Sequence, residues 1–211
     1  MNKKVLVVAT HYDDETLGAG GTLLKHKNNN DEIYCVFCTS ASQPEYEKNY
    51  ILKKEEQIKQ ICEAYNFNGI YFLGLKPAKV DIYKKGFLVQ KMAEIFAKIE
   101  PNIVYLPFAY DVHSDHRIIF EIAFSCTKSF RYPSIERVLM METLSESEFA
   151  PALANQSFIP NVFVDISEFF EKKCEIMQIY ESELGAFPFP RSLENMKALA
   201  QFRACTYGGG L

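Results

Sequence analysis

The sequence lacks a hydrophobic run long enough to cross a bilayer. A transmembrane helix needs about 20 consecutive apolar residues, and no stretch of the 211 residues reaches that length. Residues 1–4 lead instead into a strand-like run of about five apolar residues, which is too short for the apolar region of a secretory signal. These absences predict a cytoplasmic protein with no transmembrane segment.

An excess of basic charge is also lacking. The chain has 23 Lys and Arg against 27 Asp and Glu, which gives a formal net charge of −4 at pH 7. The basic residues form no stripe that would follow a phosphate backbone, so nucleic acid is not expected as a partner. Repeats, low-complexity tracts and linkers are missing as well. The length predicts one domain over residues 1–211, large enough to bury most of its apolar surface without disulfides.

A disulfide framework is not expected, although the chain has six cysteines. No secretory signal accompanies them, so reduced thiols packed as small hydrophobic side chains are the better interpretation. Cys35 and Cys38 spell C-x-x-C, but they lie in a strand-like stretch, where an offset of three places the two thiols on opposite faces. Without a second pair, the motif predicts neither a redox site nor a zinc site.

What the chain does have is a regular alternation of strand-like and helix-like stretches. Short apolar, β-branched runs predict strands, and apolar residues at helical spacing predict helices. The predicted strands are residues 4–10, 32–39, 70–73, 103–106, 137–142 and 161–166. The predicted helices are residues 14–28, 50–65, 84–99, 116–130, 167–183 (capped by Ser167) and 193–203. Such alternation with short connections indicates an α/β fold, with a mostly parallel sheet and helices on both faces.

Two polar clusters follow predicted strands. The first is HYDDE at residues 11–15, after the first strand, and the second is HSDHR at residues 113–117, after the fourth. Each alone has a simpler interpretation: carboxylates favour the first turn of a helix, and an isolated H-x-x-H is most often a solvated pair. In a parallel sheet, however, the carboxyl ends of the strands lie along one edge, where ligands bind. We therefore expect the two clusters to form one site.

The combined residues match a hydrolytic metal site. His11, Asp14 and His116 supply two imidazoles and a carboxylate, which are typical ligands of a catalytic zinc ion that keeps one position for water. Iron or cobalt would suit the same ligands. Zn²⁺ is therefore the expected cofactor, with Fe²⁺ or Co²⁺ as alternatives.

Three further residues suit catalytic roles around such an ion. Asp13 is adjacent to the metal ligands but is not one of them, so it is the natural general base for metal-bound water. His113 can lie beside the developing oxyanion or the leaving group. Asp115 is suited to accepting a ring N–H and fixing its tautomer.

At these residues the sequence resembles the LmbE-like, or PIG-L, family of metal-dependent N-acetylglucosaminyl deacetylases. The family's first motif, A-H-P-D-D-E followed by L-G-x-G-G-T, corresponds to THYDDE at residues 10–15 and LGAGGT at residues 17–22. Its second motif, H-x-D-H, corresponds to HSDH at residues 113–116. The order, the spacing and the placement after strands all match. The resemblance extends over almost the whole chain and includes QFRACTYGGG at residues 201–210.

The resemblance implies a Rossmann-like, three-layer αβα fold and a defined reaction. It implies a zinc ion on His11, Asp14 and His116, with Asp13 as general base and His113 stabilising or protonating the tetrahedral intermediate. The reaction would hydrolyse the N-acetyl group of an N-acetylglucosamine-type amino sugar or its conjugate, releasing acetate and a free amine. The expected partner is therefore a small-molecule amino-sugar conjugate, bound by a monomer or a homo-oligomer.

The chain departs from the family pattern at three positions. Tyr12 replaces the usual proline, Phe120 stands where a small residue is frequent, and Lys53 is the nearest match to a family arginine after the second strand. An ammonium binds sugars and phosphates differently from a guanidinium, so substrate contacts do not transfer at that position. The candidate substrate-binding residues are Tyr12, Lys53 and Tyr110, although aromatic loop residues pack more often than they bind.

Other functions remain as alternatives. A dinucleotide-binding domain is disfavoured because Gly18 follows an acidic segment and no third glycine stands three residues after Gly20; close helix packing explains these glycines better. A metal-dependent phosphoesterase often uses two ions, and the chain has only four histidines. A non-catalytic sugar- or metal-binding module would hold its ion in a closed shell of four ligands.

Overall fold

The computed structural model describes residues 2–210 and contains a five-stranded sheet. The strands are β1 (Lys4–Ala9), β2 (Glu32–Thr39), β3 (Gly69–Leu75), β4 (Ile103–Leu106) and β5 (Arg137–Met140). Their order across the sheet is β3-β2-β1-β4-β5, and all four pairings are parallel. The predicted α/β class with a parallel sheet is confirmed.

The helices form the two outer layers. Within residues 2–210 they are α1 (Asp14–Asn28), α2 (Lys48–Tyr65), α3 (Lys85–Ile99), α4 (Ser114–Phe124), α5 (Phe170–Ile179) and α6 (Leu193–Tyr207), with short 3₁₀ segments at Val80–Ile82 and Glu181–Glu183. Helices α1, α2, α5 and α6 contribute to one apolar cluster, and α3 and α4 to the other. The sheet therefore lies between two helical layers, as the three-layer prediction requires.

The central strand β1 is buried on both faces. Val5 and Val7 pack toward the layer that contains α1, whereas Leu6 and Val8 pack toward the layer that contains α3. A strand covered on both sides has a continuous apolar sequence instead of an alternating one. This explains the run VLVVA and fixes β1 in the middle of the sheet, with its polar continuation at the sheet edge.

Strand β1 lies between β2 and β4, and the order of the strands reverses there. The register pairs Val5 with Ile103 and Val7 with Tyr105, so β1 and β4 run side by side in the same direction. Chains leaving two such strands diverge to opposite faces and open a crevice at the carboxyl edge. The fold therefore brings the segments that follow β1 and β4 to one crevice.

The cysteines agree with the prediction of reduced thiols. Cys35 and Cys38 are both buried, the first in the α1-side cluster and the second in the α3-side cluster. All six cysteines are free. None of the helices within residues 2–210 combines the length and the apolar character that a membrane crossing requires.

The predicted strand at residues 161–166 is wrong. This segment has no regular secondary structure and makes no ladder with β5. Its apolar residues instead line a cavity of about 380 Å³ against α1, β5 and α6, and Val162 remains 54% exposed. The apolar residues of this segment line a cavity, and their composition resembles that of a strand although the segment pairs with none.

Two predicted helix boundaries also differ. The helix predicted at residues 116–130 ends at Phe124, where the Ser125 and Thr127 hydroxyls donate to backbone carbonyls of the last turn. The helix predicted from Ser167 begins at Phe170, because the Ser167 hydroxyl donates to the Asp165 carboxylate at 2.7 Å instead of capping the helix. Local side-chain hydrogen bonds compete with helix continuation in both cases.

Helix α1 approaches its neighbours closely at Gly18. A Cβ at this position would lie 2.8 Å from Met141 Cβ and 3.1 Å from Thr143 Oγ1. The glycine therefore permits close packing of α1, which is the structural interpretation that the sequence favoured over a phosphate-binding loop.

We expect Gly18→Ala to lower the free energy of unfolding by about 1–3 kcal/mol, because the added methyl group overpacks this contact. Gly86→Ala is the matched control, since a Cβ at Gly86 in α3 meets nothing within 4 Å. That substitution should leave stability unchanged or raise it by up to about 1 kcal/mol. Urea unfolding measures both, and a Gly18→Ala variant as stable as the wild type would contradict the close approach.

Lys173 of α5 crosses α1, and its Nζ donates to the Leu17 carbonyl at 2.9 Å. Burial lowers the pKa of Lys173 to about 8, below the value of about 10.4 for lysine in an unfolded chain. Protonated Lys173 therefore opposes folding below about pH 8, and this cost disappears as the pH rises to the unfolded pKa.

Lys173→Met should accordingly be more stable than the wild type at neutral pH, by about 2–3 kcal/mol. The difference should shrink between pH 8 and pH 10.5, because the wild type becomes more stable relative to the variant as its lysine loses the proton. Urea unfolding of both proteins across this range measures the effect. A difference that is constant with pH would show that Lys173 keeps a normal pKa in the folded state.

Candidate metal centre and active site

Both polar clusters lie where a strand gives way to a helix at the crevice. His11 follows β1, and Asp14 is the first residue of α1. His113 is the N-cap of α4, and its ring Nδ1 accepts the backbone N–H of Asp115 at 3.1 Å. His116 lies in the first turn of the same helix. The predicted meeting of the two clusters is present in the structure.

Three ligand atoms converge from the two clusters. His116 Nε2 lies 3.2 Å from His11 Nδ1 and 3.2 Å from Asp14 Oδ2, and His11 Nδ1 lies 3.8 Å from Asp14 Oδ2. Bonds of about 2.0–2.1 Å to a tetrahedral zinc ion would separate neighbouring ligand atoms by about 3.3–3.4 Å. The donor set and its spacing therefore fit a metal ion, and these three residues could hold one.

Each imidazole has a carboxylate at its other nitrogen. His116 Nδ1 lies 2.9 Å from Asp111 Oδ2, and His11 Nε2 lies 3.3 Å from Asp115 Oδ2. Asp111 is itself held by the Ser147 hydroxyl, which donates to Oδ1 at 2.7 Å. Such partners fix the tautomer and ring orientation of metal-binding histidines. The nitrogens that face the shared centre are thereby left free to bind.

The buried charges of the ligands depend on one another. Burial alone would raise the pKa of Asp14, but the imidazoles of His116 and His11 outweigh it and hold that pKa well below the usual range. Burial alone would lower the pKa of His116, but the Asp14 and Asp111 carboxylates raise it well above the usual range. The backbone N–H of His11 also donates to Asp14 Oδ2 at 2.7 Å. Asp14 is thus a fixed, ionised carboxylate.

Asp13 lies beside these ligands in an uncommon backbone conformation, with φ +116°. Its carbonyl accepts the N–H groups of Thr16 and Leu17, at 2.9 and 2.8 Å, but its side chain makes no capping hydrogen bond with α1. Asp13 is only 3% exposed, and burial together with the Asp14 charge raises the pKa of its carboxyl group well above the usual range. Helix capping therefore does not account for the Asp13 side chain.

Glu15 points away from the crevice into the core. It is fully buried and accepts the hydroxyl protons of Thr16, at 2.6 Å, and Tyr180, at 2.9 Å. Burial raises the pKa of Glu15 to about 7. Glu15 therefore ties α1 to α5 and is a structural residue.

His11 and Asp14 line a cavity of about 250 Å³. Its walls include Tyr12, Asp13 and His113, together with four residues that the sequence did not single out. These four are Lys54, Glu146, Glu183 and Arg191. Glu146 contacts the second cluster, because the His113 backbone N–H donates to its carboxylate at 3.2 Å.

The three candidate substrate-binding residues lie in different places. Tyr12 lines the cavity, and burial raises the pKa of its hydroxyl to about 12. Lys53 does not line it: its side chain is 55% exposed and pairs with Glu181. Adjacent residues of a helix point about 100° apart, and the next residue, Lys54, is the one that enters the cavity. Tyr110 also lies outside, with its ring 5.7 Å from that of Phe108.

Two kinds of site residue escaped the sequence analysis. Asp111 lies within the polar stretch that contains the second cluster, so its proximity to His113 was a usable signal. Glu146, Glu183 and Arg191 lie far along the chain, outside either motif, and only the tertiary fold brings them to the cavity.

Comparison with known proteins finds a matching family and similar curated proteins. Residues 6–127 match the PIG-L family, described as GlcNAc-PI de-N-acetylase. The chain is 23% identical to a diacetylchitobiose deacetylase of Thermococcus kodakarensis, over 86% of this chain and 70% of that protein. It is 24% identical to a probable N-acetyl-alpha-D-glucosaminyl L-malate deacetylase 2 of Bacillus cereus, over 88% of this chain and 86% of that protein.

Solved structures share the fold at low sequence identity. An N,N'-diacetylchitobiose deacetylase from Pyrococcus horikoshii superposes with a TM-score of 0.77 at 18% identity, covering 98% of this chain and 80% of that chain. GalB, a 4-carboxy-2-hydroxymuconate hydratase from Pseudomonas putida, superposes with a TM-score of 0.72 at 16% identity, covering 97% and 87%. The fold is thus common to different reactions. The family match, which covers both polar clusters, is the more specific result: the chain belongs to the PIG-L (LmbE-like) family.

Proposed function

We propose that this protein is a metal-dependent N-deacetylase that removes the acetyl group from an N-acetylglucosamine-type amino sugar or its conjugate. The observation that carries the proposal is the convergence of His11, Asp14 and His116 beside Asp13, a buried carboxylate with no capping role. The deacetylase relatives support the same reaction. Zn²⁺ is the proposed ion, and Fe²⁺ or Co²⁺ would suit the same ligands. We retain a cytoplasmic location as part of the proposal.

The chain's own residues have separate tasks in this reaction. His11, Asp14 and His116 would hold the metal, with Asp111 and Asp115 orienting the two imidazoles. When bound, the metal supplies Lewis acidity toward the amide carbonyl and toward water. The protein's contribution is to keep the ligands fixed and one side of the centre open to the cavity.

Asp13 is proposed as the general base. Asp13 lines the cavity, and its side chain does not cap α1. The carboxylate is therefore not occupied by a structural role. It would take the proton from the attacking water and then deliver a proton to the departing amine nitrogen. A carboxylate positioned in this way typically accelerates such a reaction by about 10²–10⁴-fold.

His113 is proposed to stabilise the oxyanion of the tetrahedral intermediate. Its Nδ1 accepts the Asp115 N–H, so a neutral ring carries its proton on Nε2. Burial and the neighbouring His11 lower the pKa of His113, which favours that neutral form. The ring stands edge-to-face against His11, with centroids 4.5 Å apart. An Nε2–H donor beside the metal ligands is suited to an oxygen on which negative charge develops.

The cavity suits a single sugar ring. Its volume of about 250 Å³ is slightly below the usual range of about 300–1,000 Å³ for ligand cavities. We therefore expect the acetylated sugar to enter the cavity and any conjugated group to lie at its mouth.

The geometry favours this function over the two alternatives. A two-metal phosphoesterase holds its ions about 3.5–4 Å apart. Among the described residues, the other cluster that could hold an ion is His11, His113 and Asp115, which shares His11 with the first and so gives no complete second ligand set. A non-catalytic module would close its ion with a fourth side chain. Here the ligands adjoin a cavity instead.

The first test is acetate release from a panel that contains N-acetylglucosamine, diacetylchitobiose and N-acetylglucosaminyl malate. We expect at least one of them to be deacetylated, with loss of activity on chelation and recovery with Zn²⁺. Asp13→Asn should lower kcat by about 10²–10⁴-fold and leave the metal content unchanged. Asn is preferred to Ala because it tolerates a positive φ better.

Glu94→Gln is the matched control, because Glu94 is an exposed carboxylate on α3. It should keep wild-type activity. Deacetylation at a near-wild-type rate by Asp13→Asn would exclude Asp13 as the base, and a wild type that releases no acetate from the panel would contradict the proposed function.

The second test concerns the metal. His116→Ala should remove a ligand and lower the metal content measured by elemental analysis. Asp111→Asn should weaken metal binding by about 10–100-fold in competition with a chelator, because it removes the carboxylate that orients His116. An unchanged metal content in His116→Ala would remove that residue from the ligand set.

A further inference from the structure

We propose that Arg191 is the positioning residue for the Asp13 carboxylate, so that the loop before α6 belongs to the catalytic machinery. This inference rests on the proposed role of Asp13 as general base. Arg191 lies outside the residues matched by the family, 6–127, and outside both motifs.

Arg191 supplies the one cation that faces Asp13 among the described residues. Its Nη1 lies 3.8 Å from Asp13 Oδ2. Within residues 2–210, neither Asp13 carboxylate oxygen accepts a hydrogen bond from another group, whereas the Asp111 and Asp115 carboxylates accept several. The direction of the Asp13 side chain therefore depends on the guanidinium more than on any hydrogen bond.

Arg191 is itself held firmly. Its Nε donates to the Glu183 carbonyl at 2.9 Å, and its Nη2 lies 3.5 Å from the Glu183 carboxylate. Its Nη1 donates to the Ser145 hydroxyl oxygen at 3.4 Å. The next residue, Ser192, is fully buried and caps α6 by accepting the Asn195 N–H. A guanidinium that is held by several contacts can fix the position of a neighbouring carboxylate.

The charges around the cavity argue against a role in binding an anionic substrate. Two cations face it, Arg191 and Lys54, and Lys54 is already paired with Glu183 at 2.6 Å. Asp13 and Glu146 add further negative charge on the same walls. Both cations therefore already face carboxylates, Lys54 that of Glu183 and Arg191 those of Glu183 and Asp13, and neither is left unpaired for a substrate carboxylate or phosphate.

The Asp13 side chain needs a partner that fixes its orientation. Asp13 is joined directly to Asp14, a proposed metal ligand, and α1 does not engage its side chain. Without a fixed partner, the carboxylate would be free to rotate about its side-chain bonds. Attraction to the Arg191 guanidinium holds it in one direction at the cavity wall, where it would be in place to accept a proton. A displacement of about 1 Å in such a group can cost about 10²-fold in rate.

The kinetic test compares Arg191→Ala and Arg191→Lys with Arg131→Ala, an exposed arginine after α4 that serves as the control. With the holoenzyme and the best substrate of the panel, Arg191→Ala should lower kcat by about 10–100-fold with KM and metal content little changed. Arg191→Lys should recover part of the loss. Added guanidinium ion should partly rescue Arg191→Ala but not Asp13→Asn, which a purely structural role would not produce.

A second measurement does not depend on activity. Urea unfolding midpoints of Arg191→Ala, Asp13→Asn and the double variant form a double-mutant cycle. We expect Arg191→Ala to shift the midpoint less in the Asp13→Asn background than in the wild type. Additive shifts would overturn the contact on which the inference rests, even if the wild type proved to have no deacetylase activity.

Two kinetic outcomes would overturn the inference in an active enzyme. Wild-type kcat in Arg191→Ala would exclude a positioning role. A raised KM with unchanged kcat would assign Arg191 to substrate binding instead.

Discussion

Parallel pairing of β1 with β4 is the constraint on which the rest of the site depends. The two strands are consecutive in the sheet but about a hundred residues apart in the chain, and the ladder from Val5–Ile103 to Val7–Tyr105 sets their register. Because both strands run the same way, the segments that leave them reach the same edge. His11 and His116 can meet only there, 105 residues apart in sequence, with their ring nitrogens separated by 3.2 Å.

The buried carboxylates at that edge favour the binding of a cation. Asp13, Asp14, Asp111 and Asp115 are each almost completely buried around two imidazoles. An uncompensated buried charge is costly. Arg191 faces the Asp13 carboxylate, and the Arg117 guanidinium reaches Asp111 through its backbone carbonyl. The His116 imidazole already stabilises the ionised form of Asp14. A divalent ion bound by His11, Asp14 and His116 would add positive charge at the same place and would also favour the ionised form of the adjacent Asp13 carboxylate.

Sequence patterns predicted the features that depend on local composition and on the order of the strands. They did not predict the features that depend on how distant segments pack together. The convergence of His11, Asp14 and His116 could be predicted because each lies within ten residues of the end of β1 or β4. Lys53 was named as the match to a family arginine, but Lys54 is the residue that lines the cavity. Sequence alone does not fix the rotation of α2 about its axis, which decides which ammonium enters the cavity. The strand predicted at residues 161–166 failed because composition cannot distinguish a sheet partner from a cavity wall. No local sequence pattern marks Arg191, because its proposed role depends only on its proximity to Asp13 in the folded chain.

The division between sheet edge and later loops has a chemical consequence. A hydratase and several deacetylases share this fold, so the parallel sheet alone does not fix the reaction. The strand ends can gather ligands for an ion, but the cavity that surrounds them is completed by residues from 146 onward, including Glu146, Glu183 and Arg191. Arg191 contacts Asp13 and also pairs with Glu183, whereas Glu146 accepts the His113 backbone N–H. Under the proposed roles, a change in the loop before α6 would alter the surroundings of Asp13 and leave the proposed metal ligands in place.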